Sequence, residues 1–235
     1  MRRFEGALRA VITFDGPAAA GKSSVAQRVA RALDVPFVSS GLLYRAATEV
    51  ATSAGVDTSD EDAVLRALRA HTVALEPGSA GNRVRLDGRD VSAALHTDLV
   101  DANVSFVAAH PRVRDWVSEQ LREVPPPFVV DGRDMGAVVF PEARHKFFLT
   151  ASVQERARRR VGERAADLEA VAAAIARRDA LDAKQLEPAP DAHHLDTEGL
   201  DLDAVVARVL GILAERGLAP PAAKAAAPRG GGASP

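Results

Sequence analysis

A chain of 235 residues, 47% of them apolar, has room for one domain with an insertion and enough apolar side chain to fill its core. Cysteine is absent, which excludes disulfides and thiolate metal sites, and a net charge of −2 argues against non-specific nucleic-acid binding. With no apolar run long enough to span a bilayer and no charged-then-apolar leader, a soluble cytoplasmic protein without a membrane partner is expected.

The first predicted element is a buried strand over Val11–Phe14, and the next is a helix over Ser24–Leu33, where Val25, Val29 and Leu33 recur at helical spacing. Between them, Gly16-Pro17-Ala18-Ala19-Ala20-Gly21-Lys22-Ser23 satisfies the phosphate-loop pattern GxxxxGK[ST]. A loop between strand and helix lets backbone N–H groups wrap an anion, and the helix N-terminus adds partial positive charge. Lys22 is suited to the β- and γ-phosphates, and the Ser23 hydroxyl to Mg²⁺. A glycine turn that happens to hold a lysine is the alternative, and the strand–loop–helix context weighs against it. The run Gly16 to Ser24 is therefore the expected site of a nucleoside triphosphate.

A second strand is expected over Pro36–Ser39, turning into a helix at Ser39-Ser40-Gly41-Leu42-Leu43-Tyr44-Arg45. Ser40 can cap that helix, and Tyr44, the single tyrosine, and Arg45 follow one turn later. Simple capping plus a solvent-facing arginine would explain these residues equally well. From His71 to Val91 the pattern changes to short alternating runs separated by Pro77-Gly78, Gly81-Asn82 and Asp87-Gly88, which predicts a small antiparallel insert. Helical sequence resumes near Asp101, breaks at Pro111 and runs to Arg122, after which Pro125-Pro126-Pro127 predicts an extended approach to a strand at Phe128–Val130.

Asp131-Gly132-Arg133-Asp134 stands at the carboxyl end of that strand, where open α/β sheets bind ligands. A guanidinium and a carboxylate there suit a phosphate and a base; an Arg–Asp surface pair is the plainer reading. After a strand at Lys146–Leu149, the run Glu155-Arg156-Ala157-Arg158-Arg159-Arg160 places Arg156, Arg159 and Arg160 on one helical face, able to stabilise a transferring phosphoryl group. Only four of the 30 basic residues are lysines, so arginine is common throughout, and a solvated face with a Glu155–Arg159 pair competes. Arg178-Asp179-Ala180-Leu181-Asp182 offers a similar choice between a site and an i,i+4 salt bridge, in the weaker basic-before-acidic order. The last strand is expected at His194–Asp196. The six histidines form no metal pattern, and the Ala-, Pro- and Gly-rich tail from Ala219 is expected to be disordered.

Strands followed by helices predict an α/β fold with a parallel sheet. The guanine-binding [NT]KxD element is missing, and motors and transporters usually need a longer chain. A kinase with a second, acceptor site remains, as does a phosphate-loop module that holds ATP without transferring it.

Taken in order, ITFDGPAAAGKSS, SSGLLYRA, VRLDGRDVSAAL, VSFVAAHPRVR, VVDGRDMGAVVFPEA, KFFLTAS with ERARRR, and ARRDALD resemble the cytidylate kinase family over nearly the whole chain. The resemblance implies a three-layer α/β/α phosphate-loop fold with a five-stranded parallel sheet. It also implies a kinase domain over 1–218, a monophosphate-binding insert at about 60–122 and a helical lid at about 154–178. It implies ATP as donor, Mg²⁺ as cofactor, CMP or dCMP as acceptor, and a monomer. Ser40, Tyr44 and Arg45 would contact the acceptor; Ser105, Arg114 and Asp134 would read cytosine; Arg133 would hold the acceptor phosphate; Arg178 and Asp182 would approach phosphate and ribose. Lys22, Arg133, Arg156, Arg160 and Arg178 would carry the catalysis. Three departures from the family pattern are Gln185 and His96, where arginine is usual, and a short stretch between Arg160 and Arg178. Transfer to a phosphate oxygen explains why no general base is evident, since a phosphate with a second pKa of about 6 is already ionised at neutral pH. UMP, AMP or shikimate would be the rival acceptors.

Overall fold

The structure, a computed structural model, describes residues 10–78, 81–163 and 167–219. Its strands are β1 (Val11–Asp15), β2 (Phe37–Ser39), β3 (Val73–Glu76), β4 (Arg83–Leu86), β5 (Arg89–Asp90), β6 (Phe128–Asp131), β7 (His145–Thr150) and β8 (His193–Asp196). The helices are α1 (Lys22–Leu33), α2 (Ser40–Ser53), α3 (Glu61–Arg69), α4 (Asp98–Ala109), α5 (Pro111–Arg122), α6 (Val153–Glu163), α7 (Leu168–Leu181) and α8 (Leu202–Glu215).

Five strands form one parallel sheet in the order β2–β6–β1–β7–β8. Its central strands are buried on both faces, which is why they read as continuous apolar runs rather than alternating ones. Against one face, α1 and α8 bury Val25, Val29, Val205, Val209 and Leu213 around Phe14 and Phe147, whose stacked rings lie 5.1 Å apart. The other face carries α2 to α5, with Leu43, Ala47, Val50, Val117 and Leu121 packed on Phe128 and Val130. The expected three-layer α/β/α arrangement is therefore present.

The expected antiparallel insert is β3–β4–β5. Asp87 and Gly88 both have positive φ, 49° and 79°, as a two-residue hairpin between Leu86 and Arg89 requires. Asn82 clips the insert to β2: its amide donates to the Phe37 carbonyl at 3.0 Å and its oxygen accepts from the Ser39 N–H at 3.1 Å.

Several boundaries moved. The helix predicted from Ser24 already includes Lys22 and Ser23, and the helix expected near Asp101 starts at Asp98, where the Thr97 hydroxyl accepts from the Val100 N–H. Pro111 opens α5 at the predicted break. The chain does not approach β6 extended: it bends at Pro126 and Pro127, whose shared peptide bond is cis, a form that a proline amide tolerates far better than an ordinary one. Residues 220–235, nearly all of the tail expected to be disordered, lie outside the described residues.

Candidate active site

All the carboxyl ends of the parallel strands point to one edge of the sheet. Because β6 and β7 flank β1 while β2 lies beyond β6, the chain leaves β1 in one direction and returns on the other side, which opens a crevice above β1. Gly16–Ser23 fills it. Gly16 has φ 136°, and a Cβ there would collide with the Leu149 carbonyl, so only glycine lets the loop pass β7. Gly21, at φ 82°, leads into α1 without a side-chain cap, leaving that helix N-terminus suited to an anion. Lys22 is buried and donates to the Pro17 carbonyl at 2.7 Å. Burial, helped by the neighbouring Arg133 charge, holds its ammonium well below the usual lysine range.

A cavity of about 570 Å³ lies over the loop. Ala19 to Ser24 line one side of it, Arg159 and Arg160 of α6 a second, and Leu200 to Leu202 a third. Gly16, Pro17 and Ala18 stand behind it rather than in its wall. Ala18 is instead held at both ends. Its carbonyl accepts from Arg156 Nη1 at 2.8 Å, and its N–H donates to Asp179 Oδ1 at 3.3 Å, while Arg156 Nη2 donates to Asp179 Oδ2 at 2.6 Å. Arg156, expected beside the phosphoryl group, is thus buried among three acceptors, the third being the Ala151 carbonyl at 3.0 Å. The three arginines do share a helical side, but Arg156 falls on the first turn, where α6 meets the sheet and the side chain is enclosed. Arg159, placed on the same face but not among the residues expected to carry the catalysis, reaches the cavity with Arg160. It also makes the competing Glu155 pair at 3.1 Å and donates to the Thr197 carbonyl at 2.5 Å.

A second cavity of about 240 Å³ lies beside the first, and Ser23 lines both. Eight of the nine expected acceptor residues line it: Ser40, Tyr44, Arg45, Arg114, Arg133, Asp134, Arg178 and Asp182. Ser105 does not; it is half-buried on α4, next to Val104, which does. His96 lines the cavity, whereas Lys184 and Gln185 line neither. Ser40 is not a cap. It is the first residue of α2, and its hydroxyl donates across to the Asp131 carbonyl at 2.7 Å, which fixes α2 to β6.

Charges inside this cavity are paired closely. Arg114 meets Asp134 at 2.6 Å and lies 5.6 Å above the Tyr44 ring, and burial pushes the Tyr44 hydroxyl up to about 12. Arg133 meets Asp182 at 2.8 Å, whereas the suspected Arg178–Asp182 helix pair is stretched to 3.9 Å. Arg45 donates to the Leu95 carbonyl at 2.7 Å and to Asp101 at 2.6 Å. Burial and the charge of Arg133 lower the Arg178 guanidinium, as expected where several cations converge.

Among the described residues, Asp131 Oδ1, Asp134 Oδ1 and Arg178 Nε are buried with no hydrogen-bond partner. Buried polar groups are rarely left so, and these three residues all line the second cavity, where a ligand or water can meet them. The other Asp131 oxygen accepts from the Ser23 hydroxyl. A hydroxyl and a carboxylate with a spare oxygen fit a small hard cation. No group of three or more His, Cys, Asp or Glu side chains able to hold a metal exists among the described residues, so phosphate and water oxygens would complete the shell, as Mg²⁺ prefers. Asp131 opens the Asp131–Asp134 motif singled out in the sequence but has no role of its own there, although an acid closing a buried strand is a usable signal.

The family model described as "Cytidylate kinase" matches residues 12–215. A protein named cytidylate kinase from Deinococcus radiodurans is 55% identical over 201 residues, 86% of this chain and 98% of that one. Another of that name from Thermus thermophilus is 56% identical over 203 residues, again 86% and 98%. A solved structure of an uncharacterized protein from Eubacterium ventriosum is 11% identical and shares the fold, with a TM-score of 0.50 over 88% of this chain and 99% of that one.

Proposed function

The chain belongs to the cytidylate kinase family, and from that premise we propose that its two adjoining cavities hold the two substrates in line for phosphoryl transfer. The enzyme uses ATP to phosphorylate CMP and dCMP to their diphosphates. The larger cavity takes ATP, its phosphates on the loop Gly16–Ser23. The smaller takes the acceptor, and the shared Ser23 marks where the reacting groups meet.

The chemistry is positioning and charge neutralisation. Lys22, buried and already relieved of part of its hydration, faces the transferring phosphate. Arg133 and Arg178 hold the acceptor phosphate with Arg45, and Arg160 approaches from the lid. Arg156 serves differently, by fixing Ala18 and with it the loop. Ser23 and Asp131 would hold Mg²⁺, which when bound neutralises phosphate charge. Asp182, released from Arg133 by phosphate, is placed for the ribose hydroxyls.

The observation that carries base selection is the buried, unpaired Oδ1 of Asp134 beside Arg114. Cytosine presents an amino donor where uracil presents a carbonyl acceptor. A carboxylate oxygen accepts from the first and repels the second, so the wrong base leaves a buried charge unpaired. Ser105 would reach the base only if α4 moves. The segments 60–122 and 154–178 serve as monophosphate-binding region and lid within one kinase domain. Both cavities are built from one chain, so a monomer suffices, and a cytoplasmic location belongs to the same reading. Among the described residues no helix is long and apolar enough to cross a membrane.

Initial rates with CMP, dCMP, UMP and AMP under saturating Mg-ATP test the reading. CMP and dCMP should have the highest kcat/KM; a preference for AMP or UMP would sink it.

A further inference from the structure

Asp15 closes β1 and directly precedes the phosphate loop; the Lys22 charge is near enough to favour its ionised form, yet both carboxylate oxygens are taken up elsewhere. It is 6% exposed, and it reaches across to the acceptor side. Oδ1 accepts from the Met135 N–H at 2.8 Å and Oδ2 from the Gly136 N–H at 2.7 Å. Those two groups open the single π-turn Met135–Val139, and Asp134 is its N-cap residue.

The first N–H groups of any helical turn lack partners within the turn. An aspartate at the N-cap position is well suited to supply them, by folding its own carboxylate back. Asp134 does not: it makes no side-chain cap bond, its carbonyl accepts from the Val138 N–H at 2.8 Å, and its carboxylate meets Arg114 and the acceptor cavity. Asp15 has taken its place as the cap.

We propose that Asp15 is a specificity-determining positioning residue, which caps the Met135–Val139 turn from β1 and so frees the Asp134 carboxylate to read the base. The idea rests on the assignment of Asp134 as base reader. The turn has little room to adjust in any other way. Gly132 is tied to the Phe14 carbonyl at 2.9 Å, and a Cβ on Gly136 would come within 2.8 Å of Thr13 Oγ1. Loss of the Asp15 bonds would therefore be answered at Asp134, the only carboxylate already at the N-cap position.

The test is a cycle of Asp15→Asn, Asp134→Asn and the double variant, reading kcat/KM for CMP and UMP alongside KM for ATP. Asparagine at position 15 keeps the shape but replaces one acceptor oxygen with a donor facing an N–H. We expect the CMP-over-UMP ratio to fall ~10-fold or more in Asp15→Asn, the scale of a lost charge-assisted hydrogen bond. The KM for ATP should change little. The double variant should discriminate no worse than Asp134→Asn alone, because the two residues act as one unit. Additive losses, or an Asp15→Asn enzyme with wild-type discrimination, would overturn the proposal. If Asp134→Asn itself leaves discrimination intact, the base-reader assignment fails, and this inference with it. Should Asp15→Asn not fold, Gly136→Ala pushes the same turn off its bonds from the Thr13 side. The same loss of discrimination is expected there, and its absence counts against Asp15.

Discussion

The larger cavity is built on one unbroken stretch of chain, Ala19 to Ser24, with α6 and residues 200–202 closing it, whereas the smaller collects side chains from α2, α5, α7 and the loop after β6. On the proposed assignment the first would work through N–H groups and a helix end, and so recognise phosphate, which every nucleotide carries. The second would work through Asp134, Arg114, Arg133 and Asp182, which ion pairs hold across elements far apart in the chain. Generic chemistry is thus written locally, and selective chemistry is assembled by the fold. The two are joined by the contacts of Asp15 with Met135 and Gly136, and by those of Ser23 with Asp131.

That contrast can be broken most severely at Lys22. Lys22→Ala should lower kcat ~10²–10³-fold for every acceptor alike, as expected for the loss of one preorganised charge, with the CMP-to-UMP ratio preserved. A changed ratio would mean that the donor side takes part in selection. Asp134→Ala should do the reverse, cutting the CMP-to-UMP ratio of kcat/KM by ~10²-fold with ATP affinity nearly unchanged.

Asp15 probes the joint between the halves. Burial raises its carboxyl to about 6 from 3.8. Between those values the native state binds more protons than the unfolded one, so stability falls as pH rises through that window. The difference amounts to about 3 kcal/mol. Chemical denaturation of wild type and Asp15→Asn from pH 3.5 to 7 should show that slope in the wild type alone; parallel profiles would refute it. Asp131→Asn should raise the Mg²⁺ concentration needed for half-maximal rate by ~10-fold, with unchanged base preference. The smallest effect is expected of Ser105→Ala, about two-fold or less in KM for CMP. A larger one would show that α4 carries Ser105 into the acceptor cavity.

How much could be foreseen follows the same division. The phosphate loop, the buried strands and the Asp87-Gly88 hairpin were legible because neighbouring residues dictate their backbone. The acceptor residues were legible only as separate motifs, since Arg114 and Asp134 meet across 20 residues and Arg133 and Asp182 across 49. Ser40 looked like a cap because local sequence does not show that the Asp131 carbonyl waits opposite. Arg156 resembled Arg159 and Arg160 until the fold enclosed it. Asp15 carried no local signal, because its partners lie 120 or more residues away, and Asp179 joins Arg156, 23 residues back, to Ala18, 161 residues back, a bridge that local sequence does not show.

Ser23 stands in the wall of both cavities, so on the proposed assignment the two nucleotides meet there through their phosphates. A single molecule with a nucleoside at each end of a polyphosphate chain could therefore fill both at once. Having one end bound would hold the other at millimolar effective concentration, so such a tethered pair should bind far more tightly than either nucleotide alone. Adenosine at one end and cytidine at the other would make it selective for this enzyme over kinases that accept other bases.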